Sequence, residues 1–459
     1  MEDLALHLDI FGQQQGLYKL YTQLCLCFPM GGGSSQSDII DTLTKGLERL
    51  TASFPWVAGQ VLRESPGDGA RNIYRIKPFE KTPRLVVKEL HDGPWTATMY
   101  VLRRNNFPFR MLDESLIAPI NTLAAGTDGP APVFLMQANF ITGGLLLTFV
   151  TQHNTMDMTG MAQIMYLLSK ACHNEPFTAE EVSNGNLDRR NLIPLLDETY
   201  EPGPELAYQI GKPPAHQSAS KAAEGQAAQP QPPKCSWIYF DFSAASLARL
   251  KSQAMQFITS QSGYVSTDDV LSAFIWLCVA RARLPRLEAN RETTLARAID
   301  PRRYLGIPAT YPGLVQNMTY STYTFERLLN APLGHIASKL REAIDPATSN
   351  LAYATRALAT RLHRSPEDNS INVTATLDLS ADIMLSSWAK YDCYDLDFNL
   401  GLGKPEAVRR PQFVPLESLF YLMPKRPDGE IAVALSLREE DLDRLRKDEE
   451  FMKYAVYIG

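Results

Sequence analysis

No run of apolar residues in this sequence approaches the roughly 18 that a membrane-spanning helix needs. The best, at 144–150, has the length of a strand. The amino terminus, Met1-Glu2-Asp3-Leu4, opens on acids and lacks the basic segment and apolar core of a secretory leader. Among the 6 cysteines there is no CxxC pair and no metal-ligand spacing. Cys25, Cys27, Cys172, Cys235, Cys278 and Cys393 sit mostly among apolar neighbours, as in Leu24-Cys25-Leu26-Cys27-Phe28, and read as reduced core thiols. These absences point to a cytoplasmic chain without a membrane span or a metal site. Positive charge is also short: 45 Lys and Arg face 51 Asp and Glu, a formal net charge of -6. A polyanion would meet a mildly repulsive surface, which sets nucleic-acid binding aside; a small anion in a local basic pocket stays open. Neither GxGxxG nor the P-loop pattern occurs, so nucleotide binding by those routes is unsupported.

What the chain does have is the balance of a globular enzyme, with 45% hydrophobic and 21% charged residues. Its 459 residues exceed one ordinary core and suggest two or three domains. One segment differs from all the rest. Residues 212–234 read KPPAHQSASKAAEGQAAQPQPPK, rich in Pro, Gln, Ala and Ser and nearly free of large apolar side chains. Such a stretch cannot bury enough to order itself and reads as a flexible crossover between a unit at 1–211 and a unit at 235–459.

Both flanks alternate strands and helices, which gives an α/β chain of two layered units. In the first, 16–28 reads as a strand and 37–54 as an amphipathic helix with Ile39, Leu43, Leu47 and Leu50 on one stripe. Residues 133–140 and 145–150 are two strands joined through Ile141-Thr142-Gly143-Gly144, a hairpin signal, and 159–172 is a helix. In the second, 237–242 is a strand and 243–257 a helix, and Ser266-Thr267-Asp268-Asp269 caps a helix over 270–281. A strand at 431–437 and a charged terminal helix at 441–457 close the chain.

Of the 7 histidines, His153 stands out. It lies in Thr151-Gln152-His153-Asn154-Thr155-Met156-Asp157, after a strand and before a helix, where sites on layered α/β folds gather. An imidazole there titrates near neutrality, as a general base requires. Asp157, four positions on, can cap the next helix and form an ion pair that fixes the loop. A buried, hydrogen-bonded histidine is the alternative on this segment alone. A second segment lies far downstream: Met384-Leu385-Ser386-Ser387-Trp388-Ala389-Lys390, then Asp397-Phe398-Asn399-Leu400-Gly401-Leu402-Gly403-Lys404-Pro405. By itself it reads as a strand followed by a Gly-rich turn.

Together the two segments resemble the BAHD acyltransferase superfamily, which carries HxxxD in its first half and DFGWG near its end. The fungal trichothecene 3-O-acetyltransferase branch is more similar still, on residues 55–61, 152–157, 167–172, 266–276, 311–320, 385–390, 401–406 and 434–438. The resemblance implies two chloramphenicol-acetyltransferase-like domains with an active-site channel between them. It implies that His153 is the base that deprotonates an acceptor hydroxyl, that acetyl-CoA is the co-substrate, and that no cofactor is permanently bound. Direct transfer without an acyl-enzyme fits a sequence that has no nucleophile elbow. By the same resemblance Asp157 pairs with an arginine supplied by Asp300-Pro301-Arg302, with Arg303 as the second choice. Ser386 and Trp388 face the reacting carbonyl, and Ser266 and Thr267 open a helix near CoA. The expected partners are an acyl-CoA and a small-molecule alcohol, a trichothecene-like 3-hydroxyl foremost, met by a monomer. Another secondary-metabolite alcohol, another acyl-CoA, or a catalytically idle ligand-binding homologue are the alternatives. A peptide-synthetase condensation domain reads HHxxxD, and Gln152 stands where its first histidine would be. The DFGWG loop departs from the pattern at Asn399 and Leu400. Asn tolerates φ > 0 best after Gly, so Asp397 and Gly401 stay as loop-shaping residues.

Overall fold

The near-alternating apolar pattern at 16–28 yields a strand that starts late. Gln15–Leu17 form a short 3-10 turn, Lys19 takes a left-handed φ of 58°, and the strand runs over Tyr21–Pro29. A left-handed residue cannot continue a strand, and this one resets the chain direction before Tyr21. In the computed structural model the described residues are 6–31, 33, 35–64, 73–91, 97–126, 128–211, 233–259, 261, 263–366, 368 and 370–459. The crossover expected at 212–234 lies outside them, save for its last two residues.

The hairpin forms as its turn signal indicates. Phe134–Ile141 and Gly144–Gln152 pair antiparallel from Ile141 opposite Gly144, leaving Thr142-Gly143 as a two-residue loop with Gly143 at φ 78°. Every residue of both strands is buried, because both faces of the sheet are covered. Leu145, Leu147 and Phe149 join the core beneath helices Gln36–Ser53 and Met158–Cys172, while Leu146 faces a separate cluster with Leu102, Leu112 and Ile117. The five-stranded sheet runs Ala407–Arg409, Tyr21–Pro29, Gly144–Gln152, Phe134–Ile141, Leu85–Glu89. Its first strand comes from the far end of the chain. Trp388, Tyr394, Phe398, Val408 and Phe413 also belong to this first core, so chain order and spatial order diverge between residues 388 and 413.

The second sheet has seven strands, in the order Asn317–Thr324, Glu292–Ile299, Ile383–Ser387, Leu419–Leu422, Ile431–Arg438, Cys235–Phe242, Ala455–Tyr457. Helix Thr267–Arg283 packs across it with almost every side chain buried, flanked by Ala244–Met255 and Leu333–Glu342. The single terminal helix expected at 441–457 does not form. Glu439–Lys447 is helical, Asp448 turns extended at ψ 105° and caps the short helix Glu449–Met452, and Ala455–Tyr457 pairs antiparallel with Cys235–Phe242. Burial of Phe451, Tyr454 and Ala455 against the sheet overrides the helical propensity of the charged run. All six cysteines are free and five are buried. Burial pushes the Cys172 and Cys393 thiols up to about 12, as suits inert core residues. Among the described residues no helix is long and apolar enough to cross a membrane.

Candidate active site

His153 follows directly on the strand Gly144–Gln152 and is pinned there by its backbone N–H, which donates to the Leu20 carbonyl at 2.7 Å. Its ring Nδ1 lies 3.3 Å from the Met156 carbonyl. A carbonyl can only accept, so Nδ1 carries the hydrogen and Nε2 keeps its lone pair. Burial holds the imidazole below its ordinary value, and Arg410 adds to that, against the raising effects of the Met156 carbonyl and Asp157. The ring is therefore neutral at pH 7, with Nε2 free to accept a proton.

The ring lines a cavity of about 720 Å³ between the halves, with Leu20, Tyr21 and Met158 beside it and Ser386, Trp388, Arg410 and Tyr421 from the second half. His153, Ser386 and Trp388 therefore line the same cavity. Ser386 accepts a hydrogen bond from the Trp388 indole Nε1 at 3.0 Å. The indole fixes the serine oxygen and leaves its O–H free to donate into the cavity.

Asp157 does not line the cavity. It caps helix Met158–Cys172 by accepting from the Gly160 N–H at 3.0 Å, accepts from the Val315 N–H at 3.0 Å, and pairs with Arg302 at 2.8 Å. Arg302 is buried and spends its guanidinium on Asp157, Asp300 and the carbonyls of Tyr311 and Gly313. Arg303 is exposed and reaches the Ile344 carbonyl instead, so Arg302 is the partner. Burial disfavours the charged form of Asp300, yet Arg302 and Lys390 outweigh it and hold that carboxyl down to about 2. Thr159 donates to Asp300 at 3.1 Å and shares a hydrogen bond with the Tyr391 hydroxyl at 2.7 Å. This charged network ties the histidine loop to both halves.

Asp397 and Gly401 shape a loop outside the cavity lining. The Asp397 carboxylate accepts from the Asn399 N–H at 2.8 Å, and its carbonyl accepts from Ser169 and His173. Asn399 has φ 56°, the positive value that an Asn in place of the family glycine suggested, and Gly401 has φ 71°. Ser266 and Thr267 also lie outside the lining. Ser266 closes a capping box with Asp269 at the start of Thr267–Arg283. Among the described residues no group of three or more His, Cys, Asp or Glu is placed to hold a metal ion. The sequence reading passed over Arg410 and Tyr391. The signal for Arg410 was Arg409-Arg410 inside an apolar segment, Ala407-Val408 before and Phe413 after, where two charges have to be accounted for.

A trichothecene 3-O-acetyltransferase-like N-terminal domain matches residues 20–172, and the Transferase family matches residues 112–452. The chain belongs to this transferase family, of the BAHD type. It is similar to an O-acetyltransferase of Cryptosporiopsis sp. (strain 8999), 54% identical over 460 residues and covering 100% of this chain and 98% of that protein. It is 49% identical over 462 residues to a trichothecene 3-O-acetyltransferase of Fusarium sporotrichioides, covering 100% of this chain and 98% of that one. The crystal structure of the Fusarium sporotrichioides enzyme with coenzyme A and T-2 superposes with a TM-score of 0.91 at 48% identity, over 99% of this chain and 100% of that one. Membership of this family makes the chain an acyltransferase with the two-unit α/β fold described above.

Proposed function

We propose that this enzyme transfers the acetyl group of acetyl-CoA to a hydroxyl of a fungal secondary metabolite, a trichothecene-like 3-hydroxyl foremost. The observation that carries the reading is the neutral His153, its Nδ1 hydrogen directed at Met156, set in a cavity that Ser386 also lines. Nε2 takes the acceptor's hydroxyl proton as the oxygen attacks the thioester carbonyl. The oxyanion of the tetrahedral intermediate receives the Ser386 O–H. Collapse expels the CoA sulfur, which regains the proton from His153, so no acyl-enzyme forms. Relatives named for O-acetyl transfer and for trichothecenes support the acyl and acceptor classes. Ser266 and Thr267 are proposed to mark the CoA phosphate end, supported by their place at the start of the long helix Thr267–Arg283. A cytoplasmic monomer completes the reading, its compartment supported by free, mostly buried thiols.

The test is thiol release from acetyl-CoA by the purified protein against a panel of alcohols that includes a 3-hydroxy trichothecene. Acceptor-dependent release, a product heavier by one acetyl group, and loss of about 10²- to 10⁴-fold in His153→Ala are expected. A folded protein that releases no thiol with any alcohol would refute acetyl transfer.

A further inference from the structure

Two consecutive arginines enter the buried region, and their surroundings differ. Arg409 is satisfied: it donates to the Asn106 and Phe107 carbonyls and lies 3.7 Å from Asp241. Arg410 is only 3% exposed, lines the large cavity, and has a buried Nε with no hydrogen-bond partner. Among the described residues no carboxylate is in ion-pair contact with it. Glu114, whose charge interacts with it at longer range, spends its own oxygen on Gln23 and the Thr122 N–H. What holds Arg410 is aromatic: its guanidinium carbon sits 5.5 Å from the Trp388 ring centre, 4.5 Å from Phe413 and 4.8 Å from Tyr421. Ring faces offset part of the desolvation of a buried cation but offer its N–H groups no in-plane acceptor.

The backbone beneath is fixed as well. The Tyr239 hydroxyl accepts from the Arg410 N–H at 2.8 Å and donates to the Arg410 carbonyl at 3.3 Å, and the Tyr239 ring stacks on Phe109 at 4.0 Å. A largely buried cation on an aromatic shelf, with unused donors in the cavity that holds the base, is built to meet an oxygen that arrives with a ligand. Ser386 already offers a donor for the oxyanion, and the shelf suits a ring-bearing acceptor rather than the slender thioester.

We infer that Arg410 determines acceptor specificity by donating to a second oxygen, carbonyl or carboxylate, carried by the acceptor near its reacting hydroxyl. This rests on the acyltransferase reading for what the ligand is; the pairing itself needs no turnover.

The experiment titrates the full chain by calorimetry with two bicyclic alcohols, borneol and 3-hydroxycamphor, which carries a carbonyl next to the hydroxyl. The parent protein, Arg410→Met and Arg410→Lys are compared, with circular dichroism as the folding control. The parent is expected to favour 3-hydroxycamphor by about 10- to 100-fold, the range of one charge-assisted hydrogen bond. Arg410→Met loses that preference while borneol binding stays within about 3-fold, and Arg410→Lys restores part of it. The inference is overturned by a parent that does not prefer 3-hydroxycamphor, by a preference that survives Arg410→Met, or by equal weakening of both ligands. Failure of acetyl transfer to either alcohol would count against the proposed acetyl transfer alone, because binding is read without it.

Discussion

Replacing Asp157 with Asn tests what the buried carboxylate does, because the shape is kept while the charge is lost and one acceptor oxygen becomes an NH₂ donor. One oxygen survives and continues to accept from Gly160, and Asn is as good an N-cap as Asp. The other becomes an NH₂ group that meets the Val315 N–H at 3.0 Å and the Arg302 guanidinium at 2.8 Å, donor against donor, and Arg302 keeps only its 3.0 Å bond to the surviving, now uncharged oxygen. Breaking a buried ion pair costs about 3–5 kcal/mol. Arg302 still has Asp300 at 2.9 Å and two carbonyls, which puts the loss at the low end, about 3 kcal/mol. For domains of this size that is a fall in melting temperature of roughly 6–12 °C, at about 2–4 °C per kcal/mol. The loop between His153 and Asp157 then loses its anchor, and misplacing the base by an ångström lowers kcat on the order of 10²-fold. Differential scanning calorimetry and steady-state thiol release read the two effects side by side, with KM for acetyl-CoA little changed. An Asn variant that melts within about 1 °C of the parent would refute the stability reasoning. One that melts early yet turns over normally would show that the pair stabilises the fold without positioning His153.

The pH profile of kcat/KM should show one acidic limb, with activity rising as His153 loses its proton and half-rise below 6.5, because burial lowers that group; a half-rise above 6.5 contradicts it. Ser386→Ala should cost about 10²- to 10³-fold in kcat, as for one oxyanion donor, while Trp388→Phe, which keeps an aromatic ring beside Arg410 but removes the indole bond to Ser386, should cost about 5-fold. Gly160→Ala should destabilise by more than about 2 kcal/mol in denaturant unfolding, since its added Cβ would fall 2.0 Å from the Pro312 carbonyl oxygen.

Periodicity and turn chemistry made the first half legible: Thr142-Gly143 forms the predicted hairpin loop, and Asp157 is the cap that its place before an apolar helix suggested. His153 could be singled out by position, at a strand end before a helix. Arg302 as the partner of Asp157 came from family resemblance, since 145 residues separate the two and no local pattern links them. The helix expected at 441–457 fails at its end because its charged pattern is local, whereas the strand that captures Ala455–Tyr457, Cys235–Phe242, is about two hundred residues away in sequence. Arg410 was passed over for a related reason: its meaning lies in the carboxylate it does not have, and only three-dimensional neighbours reveal that.

The strand Ala407–Arg409 has a bearing on how the molecule is made. Until it is synthesised, Tyr21–Pro29 has an open edge of backbone donors and acceptors flanked by Leu24, Leu26 and Phe28, an arrangement that invites pairing with other chains. A ribosome must therefore reach residue 409 of 459 before the first sheet can close. Cleaving the gene at the crossover would yield an amino-terminal fragment that aggregates, whereas co-expressing both pieces would let the second supply the missing strand in trans.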